Sequence, residues 1–260
     1  MDVLTPRTLD EALRLKAERP DAVPIQGGTD VMVELNFDRA RPEALLNLNE
    51  VVELRGWRRE DGTLWLGAGL TYAEAMAGHV AELLPALAEA SRTVGGPQIR
   101  NRGTIGGNLG TASPAGDALP PLLVADASVK LVSVRGERWV PLHEFLVGPK
   151  RNLLAEDELI AGVSVAVEEN RETFLKVGPR NAMVIAVVSL ALRVGEELRA
   201  AFGSAGPVPT LVRAALDEVD SFPQKVAEAA NPIDDVRGTA RYRRHALRVL
   251  TRRALERCLA

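Results

Sequence analysis

Arg100-Asn101-Arg102-Gly103-Thr104-Ile105-Gly106-Gly107-Asn108-Leu109-Gly110-Thr111-Ala112-Ser113-Pro114-Ala115-Gly116-Asp117 brings three kinds of group together in one short stretch. Its glycines let the backbone approach a ligand with no Cβ in the way. Thr104, Asn108, Thr111 and Ser113 offer neutral hydrogen-bonding groups, and Asp117 offers an acceptor. A pyrophosphate wants N–H and O–H donors, whereas a ribityl or ribose hydroxyl wants a carboxylate to accept its proton. A long cofactor bearing phosphates and sugar hydroxyls meets both demands. A purely structural loop has little use for so many polar groups beside glycines.

Upstream lies a second glycine-rich loop, Pro24-Ile25-Gln26-Gly27-Gly28-Thr29-Asp30-Val31, between a strand-like run at 22–25 and a short apolar-polar stretch at 31–37. Paired glycines permit positive φ, and successive amides at such a turn form an anion-binding nest beside a helix N-terminus. A tight turn capped by Asp30 or Thr29 is the plainer reading, and the loop by itself leaves both open. With a strand at 44–48, this region reads as a small βαβ-like unit. Thr8-Leu9-Asp10-Glu11 predicts a capping box for a first helix. Gly67-Ala68-Gly69-Leu70-Thr71-Tyr72 half-matches the dinucleotide G-x-G-x-x-G pattern, but Tyr72 obstructs the contact that the third glycine allows. A strand-to-helix turn is the better reading. No Gly-Lys-Ser/Thr triplet is present, so there is no P-loop.

Strands are expected at 64–68, 129–134, 139–141 and 159–167, as a mostly antiparallel sheet, with helices at 71–77, 80–93 and 118–125. The polar run Glu168-Glu169-Asn170-Arg171 reads as a boundary between domains at 1–168 and 169–260. Strands at 173–177, 184–194 and 198–202 and two helices follow. In the last helix Leu247, Leu250, Ala254 and Cys258 share one face, with arginines on the others. Arg241, Arg243, Arg244, Arg248, Arg252, Arg253 and Arg257 make that surface either a docking face or a plain solvated one. The class is α+β, in two domains.

The formal charge of -3 over 260 residues gives no reason to expect nucleic acid or an anionic membrane. No run of eighteen apolar residues suggests a membrane span, and a cytoplasmic location is the default. Cys258 is the single cysteine, so this chain cannot supply a disulfide, a multi-thiolate zinc site or the four thiolates of an iron–sulfur cluster. Any redox chemistry must be carried by an organic cofactor.

The two glycine-rich loops, in this order, resemble the FAD-binding subunit of the xanthine dehydrogenase and carbon monoxide dehydrogenase family. That family has an Ala-Gly-Gly-Thr-Asp-type loop, then Ile-Arg-Asn-x-Gly-Thr-Ile-Gly-Gly-Asn-x-x-x-Ala-Ser-Pro-x-x-Asp. The tail Asn231-Pro232-Ile233-Asp234-Asp235-Val236-Arg237-Gly238, with Tyr242-Arg243-Arg244, looks like the family's C-terminal domain. The resemblance implies a vanillyl-alcohol-oxidase (PCMH)-type fold with FAD between two α+β subdomains, followed by a small α+β domain. It implies that Pro24, Ile25, Gln26, Gly27, Gly28, Thr29, Asp30 and Val31 cradle the pyrophosphate. Thr104, Ile105, Gly106, Gly107 and Asn108 would wrap its other side, with Thr111 and Ser113 nearby, and Asp117 would hold a ribityl or ribose hydroxyl. Ile160 resembles an apolar residue packed on the isoalloxazine, or is plain strand core. Lys176 resembles a basic residue near the pyrimidine end, or is a solvated charge.

Two positions depart from the family. Gln26 replaces a small Ala and would crowd the loop unless its side chain turns outward, and the segment 180–183 lacks an aromatic near the flavin. The implied partners are a molybdopterin-binding large subunit, a 2Fe-2S small subunit and an external acceptor (NAD, a quinone or oxygen). The alternative is a self-contained flavoenzyme on the same fold, resembling UDP-N-acetylenolpyruvoylglucosamine reductase, or a cofactor-free docking scaffold.

Overall fold

A computed structural model describes residues 1–260. Strand β1 (Asp2–Leu4), helix α1 (Leu9–Glu18), β2 (Val23–Ile25), α2 (Val31–Asn36) and β3 (Ala44–Asn47) form the first unit. Its sheet is parallel throughout, in the order β1-β3-β2, so the expected βαβ unit is present as β2-α2-β3. Thr8 starts α1 by accepting the Glu11 amide at 3.2 Å. The return arm of the expected capping box is displaced, because the Glu11 carboxylate accepts from the Arg7 amide instead.

The second unit runs through β4 (Trp57–Glu60), β5 (Thr63–Gly67), α3 (Tyr72–Ala75), α4 (Gly78–Leu83), α5 (Pro85–Thr93), α6 (Pro97–Arg100), α7 (Ile105–Thr111) and α8 (Leu119–Val124). It then continues through β6 (Ser128–Ser133), β7 (Gly136–Pro141), α9 (Leu142–Phe145), β8 (Leu146–Gly148), β9 (Arg151–Asn152) and β10 (Leu159–Ala166). Its main sheet is antiparallel, in the order β4-β5-β10-β6-β7. Alternation sends Leu64, Leu66, Val129, Leu131, Val163 and Val165 into the core beneath the helices. The opposite face receives the first unit, where Leu46 and Leu54 meet Val132, Leu159 and Ala161. Two expectations change here. The helix expected at 80–93 is two helices, because the residue before Pro85 is forced out of the α region and Leu84 sits at φ -132°. The stretch 100–117, read as loop, contains α7.

The C-terminal sheet is antiparallel, β11 (Arg171–Val177), β12 (Val188–Val194), β13 (Leu198–Gly203) and β14 (Thr210–Ala214), followed by α10 (Phe222–Glu228) and α11 (Ala240–Leu259). Strand β12 is buried on both faces. Val188, Leu190 and Leu192 pack with Leu247, Leu250 and Ala254 of α11, while Ala191 joins the larger core of the preceding unit. That explains why apolar residues occupy both faces of the strand, interrupted only by Ser189 and Arg193. The expected buried face of α11 is present, and each such apolar side chain contributes about 1.5–3 kcal/mol. Arg243 is the correction, since it is 2% exposed and belongs to no docking surface. It donates to the Ser204 carbonyl and to Asp235, both at 2.5 Å. No helix is long and apolar enough to cross a membrane.

Candidate functional site

A cavity of about 290 Å³ opens between the first unit and the antiparallel sheet, where the β2–α2 loop faces α7. Every residue from Pro24 to Val31 lines it. Gly28 adopts φ +74°, where glycine carries no Cβ penalty. Gly27 is glycine for another reason, since a Cβ there would lie 2.2 Å from the Arg102 carbonyl oxygen. Arg102 in turn donates to the Gln26 carbonyl at 3.1 Å, tying the two loops together. The amides of Gly27, Gly28, Thr29 and Asp30 find no acceptor in the chain, because the loop's own hydrogen bonds use its carbonyls and side chains. Gly27, Gly28 and Thr29 are half-buried and Asp30 is exposed, so the four amides are open to the cavity, as an anion nest requires. Asp30 occupies the cap position of α2 without a capping bond, and its carboxylate accepts from Thr111 Oγ1 at 2.9 Å. Gln26 turns away from the glycine pair, its amide group lying against Gly69 and donating to the Leu48 carbonyl at 3.5 Å.

The opposite wall is built differently. Thr104 caps α7, its Oγ1 accepting the Gly107 amide at 3.0 Å. The Ile105 amide donates to Leu70 O and the Gly106 amide to Ala68 O, at 2.9 and 2.7 Å. A Cβ on Gly106 would stand 2.6 Å from that of Ala68, so the glycine lets the helix dock on the end of β5. Tertiary docking and the cap together override the poor helix propensity of a three-glycine segment. The helix stops at Ala112, in the left-handed region at φ +46°. Thr104, Gly106, Gly107, Asn108 and Thr111 line the cavity. Ile105 does not, being fully buried in the core, and Ser113 instead accepts the Ala115 amide in a turn. The expected wrap by the 104–108 backbone is thus reduced, because its leading amides are engaged inside the protein.

Asp117 and Lys176 are brought together as a buried ion pair at 2.6 Å, beyond the residues that line the cavity. Lys176 also donates to the Thr93 carbonyl at 3.3 Å, so it is no solvated charge. Burial pushes the Asp117 carboxyl up, against the pull of the Lys176 ammonium. Asp117 Oδ1 and Asn108 Oδ1 are buried and accept no hydrogen bond. Ile160 is both core and cavity wall. Sequence reasoning missed Tyr72 and Ala68, which line the cavity from the strand-to-helix turn, and Glu158. That turn is as expected, with Thr71 accepting the Glu74 amide and Glu74 accepting the Thr71 amide. Arg138 grips Glu158 through two bonds of 2.7 and 2.8 Å and holds its carboxyl below the usual range. No local pattern announces that pair, which spans twenty residues. Unpaired donors on one wall and unpaired acceptors deeper in suit a ligand with phosphates and sugar hydroxyls.

Comparison with known proteins agrees with this chemistry. The family described as FAD binding domain in molybdopterin dehydrogenase matches residues 1–166. The CO dehydrogenase flavoprotein C-terminal domain matches residues 173–258. The chain is 29% identical to the xanthine dehydrogenase FAD-binding subunit of Escherichia coli O157:H7, over 97% of this chain and 94% of that one. It is 35% identical to the nicotinate dehydrogenase FAD-subunit of Eubacterium barkeri, over 74% and 68%. Among solved structures, a carbon monoxide dehydrogenase of Hydrogenophaga pseudoflava superposes with a TM-score of 0.92 at 25% identity, covering 100% of this chain and 97% of that one.

Proposed function

The chain belongs to the family of FAD-binding domains of molybdopterin dehydrogenases, and from that premise we propose that it is the flavin-carrying electron-transfer subunit of a molybdenum hydroxylase or dehydrogenase. FAD is its cofactor, and its relatives are dehydrogenase subunits, that is, oxidoreductases. In this reading electrons arrive from iron–sulfur clusters in a 2Fe-2S small subunit, after a molybdopterin-binding large subunit has oxidised the substrate. They leave to an external acceptor. The fold takes the PCMH type, with residues 1–168 as the FAD domain and 169–260 as the flavoprotein C-terminal domain.

The observation that carries the proposal is the run of four unpaired amides from Gly27 to Asp30. When bound, FAD supplies the redox chemistry, taking electrons singly and releasing them in pairs. The chain's own residues bind and orient it. The Gly27–Asp30 amides take a pyrophosphate, and Thr104 adds a hydroxyl from the α7 wall while Thr111 holds the Asp30 carboxylate. Asp117 Oδ1 and Asn108 Oδ1 accept from ribityl or ribose hydroxyls, with Lys176 fixing the Asp117 carboxylate. Ile160 offers an apolar surface to the ring.

Purified protein should carry about one FAD per chain, read from its visible flavin absorption against protein concentration. Colourless protein that takes up no added FAD would overturn the proposal. Reduction of the bound flavin by NADPH with re-oxidation by an enolpyruvyl nucleotide would instead favour the self-contained reductase.

A further inference from the structure

Tyr72 lines the cavity, yet it was set aside in the sequence as an obstruction. Its residue is 6% exposed, and its hydroxyl makes no hydrogen bond within the chain. The ring is held from two sides. Its own amide donates to the Gly103 carbonyl at 3.1 Å, and a Cβ on Gly103 would lie 2.9 Å from the ring edge. A phenol that is nine-tenths buried normally has a partner for its O–H.

The surroundings say what kind of partner is missing. On this wall the amides of Ile105, Gly106 and Gly107 are already engaged, so an anion meeting α7 needs side-chain O–H donors. Tyr72 stands beside Gly103 and lines the same cavity as Thr104 and the Gly27–Asp30 amides, within reach of the charges of both Asp117 and Asp30. We propose that the Tyr72 hydroxyl is a further cofactor-binding group, a neutral donor that meets the pyrophosphate of FAD from the α7 side of the cavity. The inference rests on the FAD reading above. Burial, and then the carboxylates of Asp117 and Asp30, push the Tyr72 phenol far up, so it keeps its proton and remains a donor at any working pH. An ammonium in the same place would compete for those carboxylates, which Lys176 and Thr111 already hold, while a neutral donor does not.

The test compares wild type with Tyr72→Phe, reading FAD and riboflavin affinity by fluorescence and ADP affinity by calorimetry. Loss of one hydrogen bond to a charged phosphate should weaken FAD and ADP roughly ten- to a hundredfold. Riboflavin, which has no phosphate, should bind the two proteins equally. Tyr72→His, which keeps a ring donor, should recover part of the ADP affinity, and it serves as the comparison if the Phe variant folds poorly. Unchanged FAD affinity in the Phe variant would overturn the inference alone. An equal loss for riboflavin would do the same, because the hydroxyl would then serve the ribityl chain. Wild-type protein that binds neither FAD nor ADP would overturn the cofactor reading itself.

Discussion

Gly27 and Gly107 are both glycines at the cavity, but they are glycine for different reasons. A Cβ on Gly27 would sit 2.2 Å from the Arg102 carbonyl oxygen and 3.0 Å from Gly103 Cα, both backbone atoms that cannot rotate aside. A Cβ on Gly107 would meet only Thr104 Oγ1, at 3.1 Å, and points toward the cavity. Gly27→Ala should therefore push the two glycine-rich loops apart and weaken FAD at least tenfold, measured as flavin retained through gel filtration and as Kd by fluorescence. Retention of full affinity would mean that the loops need not touch to hold the cofactor. The composition of both loops was legible in the sequence, because glycines beside hydroxyls and a carboxylate have few other uses. Which glycine answers which constraint was not legible. Gly27 depends on Arg102, and Gly106 on Ala68, neither of which is near in sequence. Tyr72 was passed over for a related reason, since a motif comparison asks what a side chain blocks and cannot see the cavity that it lines.

At the scale of elements, α11 is held to the C-terminal sheet by its apolar face and by one polar anchor at its start. Asp235 accepts from Arg243 at 2.5 Å and from Arg237 at 2.8 Å, as well as from the Arg237 amide. Partial burial by itself would raise the Asp235 carboxyl, but these bonds outweigh it and hold the group well below the ordinary carboxylate range. A carboxylate depressed in the folded state stabilises above its unfolded pKa, about 3.9, and loses that contribution as pH falls through and below it. The melting temperature of Asp235→Asn should thus lie below wild type at pH 7, with a cost of about 1.5–3 kcal/mol. The gap should narrow progressively below pH 4. A gap that is constant from pH 7 to pH 3 would mean that the carboxylate's charge contributes nothing. The apolar face of α11 was readable because four buried residues at helical spacing leave little choice. Helix α7 was not, since three glycines argue against a helix and only the Thr104 cap and the contact with Ala68 reveal one.

In the whole molecule the polar run at 168–171 suggested a boundary, but the continuity of the core across it was not legible in the sequence. Phe174, Ala191 and Ala201 of the C-terminal sheet belong to the same apolar core as Leu122 and Leu123 of α8. Lys176 reaches back across that seam to Asp117, so the C-terminal sheet helps to set a buried carboxylate of the second unit. In the proposed reading the molecule is organised around one flavin site. Its single thiol, Cys258, is buried, and burial together with the charges of Glu172 and Glu89 pushes it up to about 11. An iron–sulfur cluster needs several thiolates, which this chain cannot provide. In the proposed division of labour, electrons from an organic substrate reach the flavin through clusters held by another chain. Mixed anaerobically with an aldehyde, a purine or carbon monoxide, the FAD-loaded subunit alone should keep its visible absorption unchanged. Addition of its iron–sulfur and molybdenum partner subunits should bleach it with one of these substrates. Bleaching by an organic substrate with no partner present would show that substrate oxidation takes place on this chain, and the division of labour between subunits would have to be abandoned.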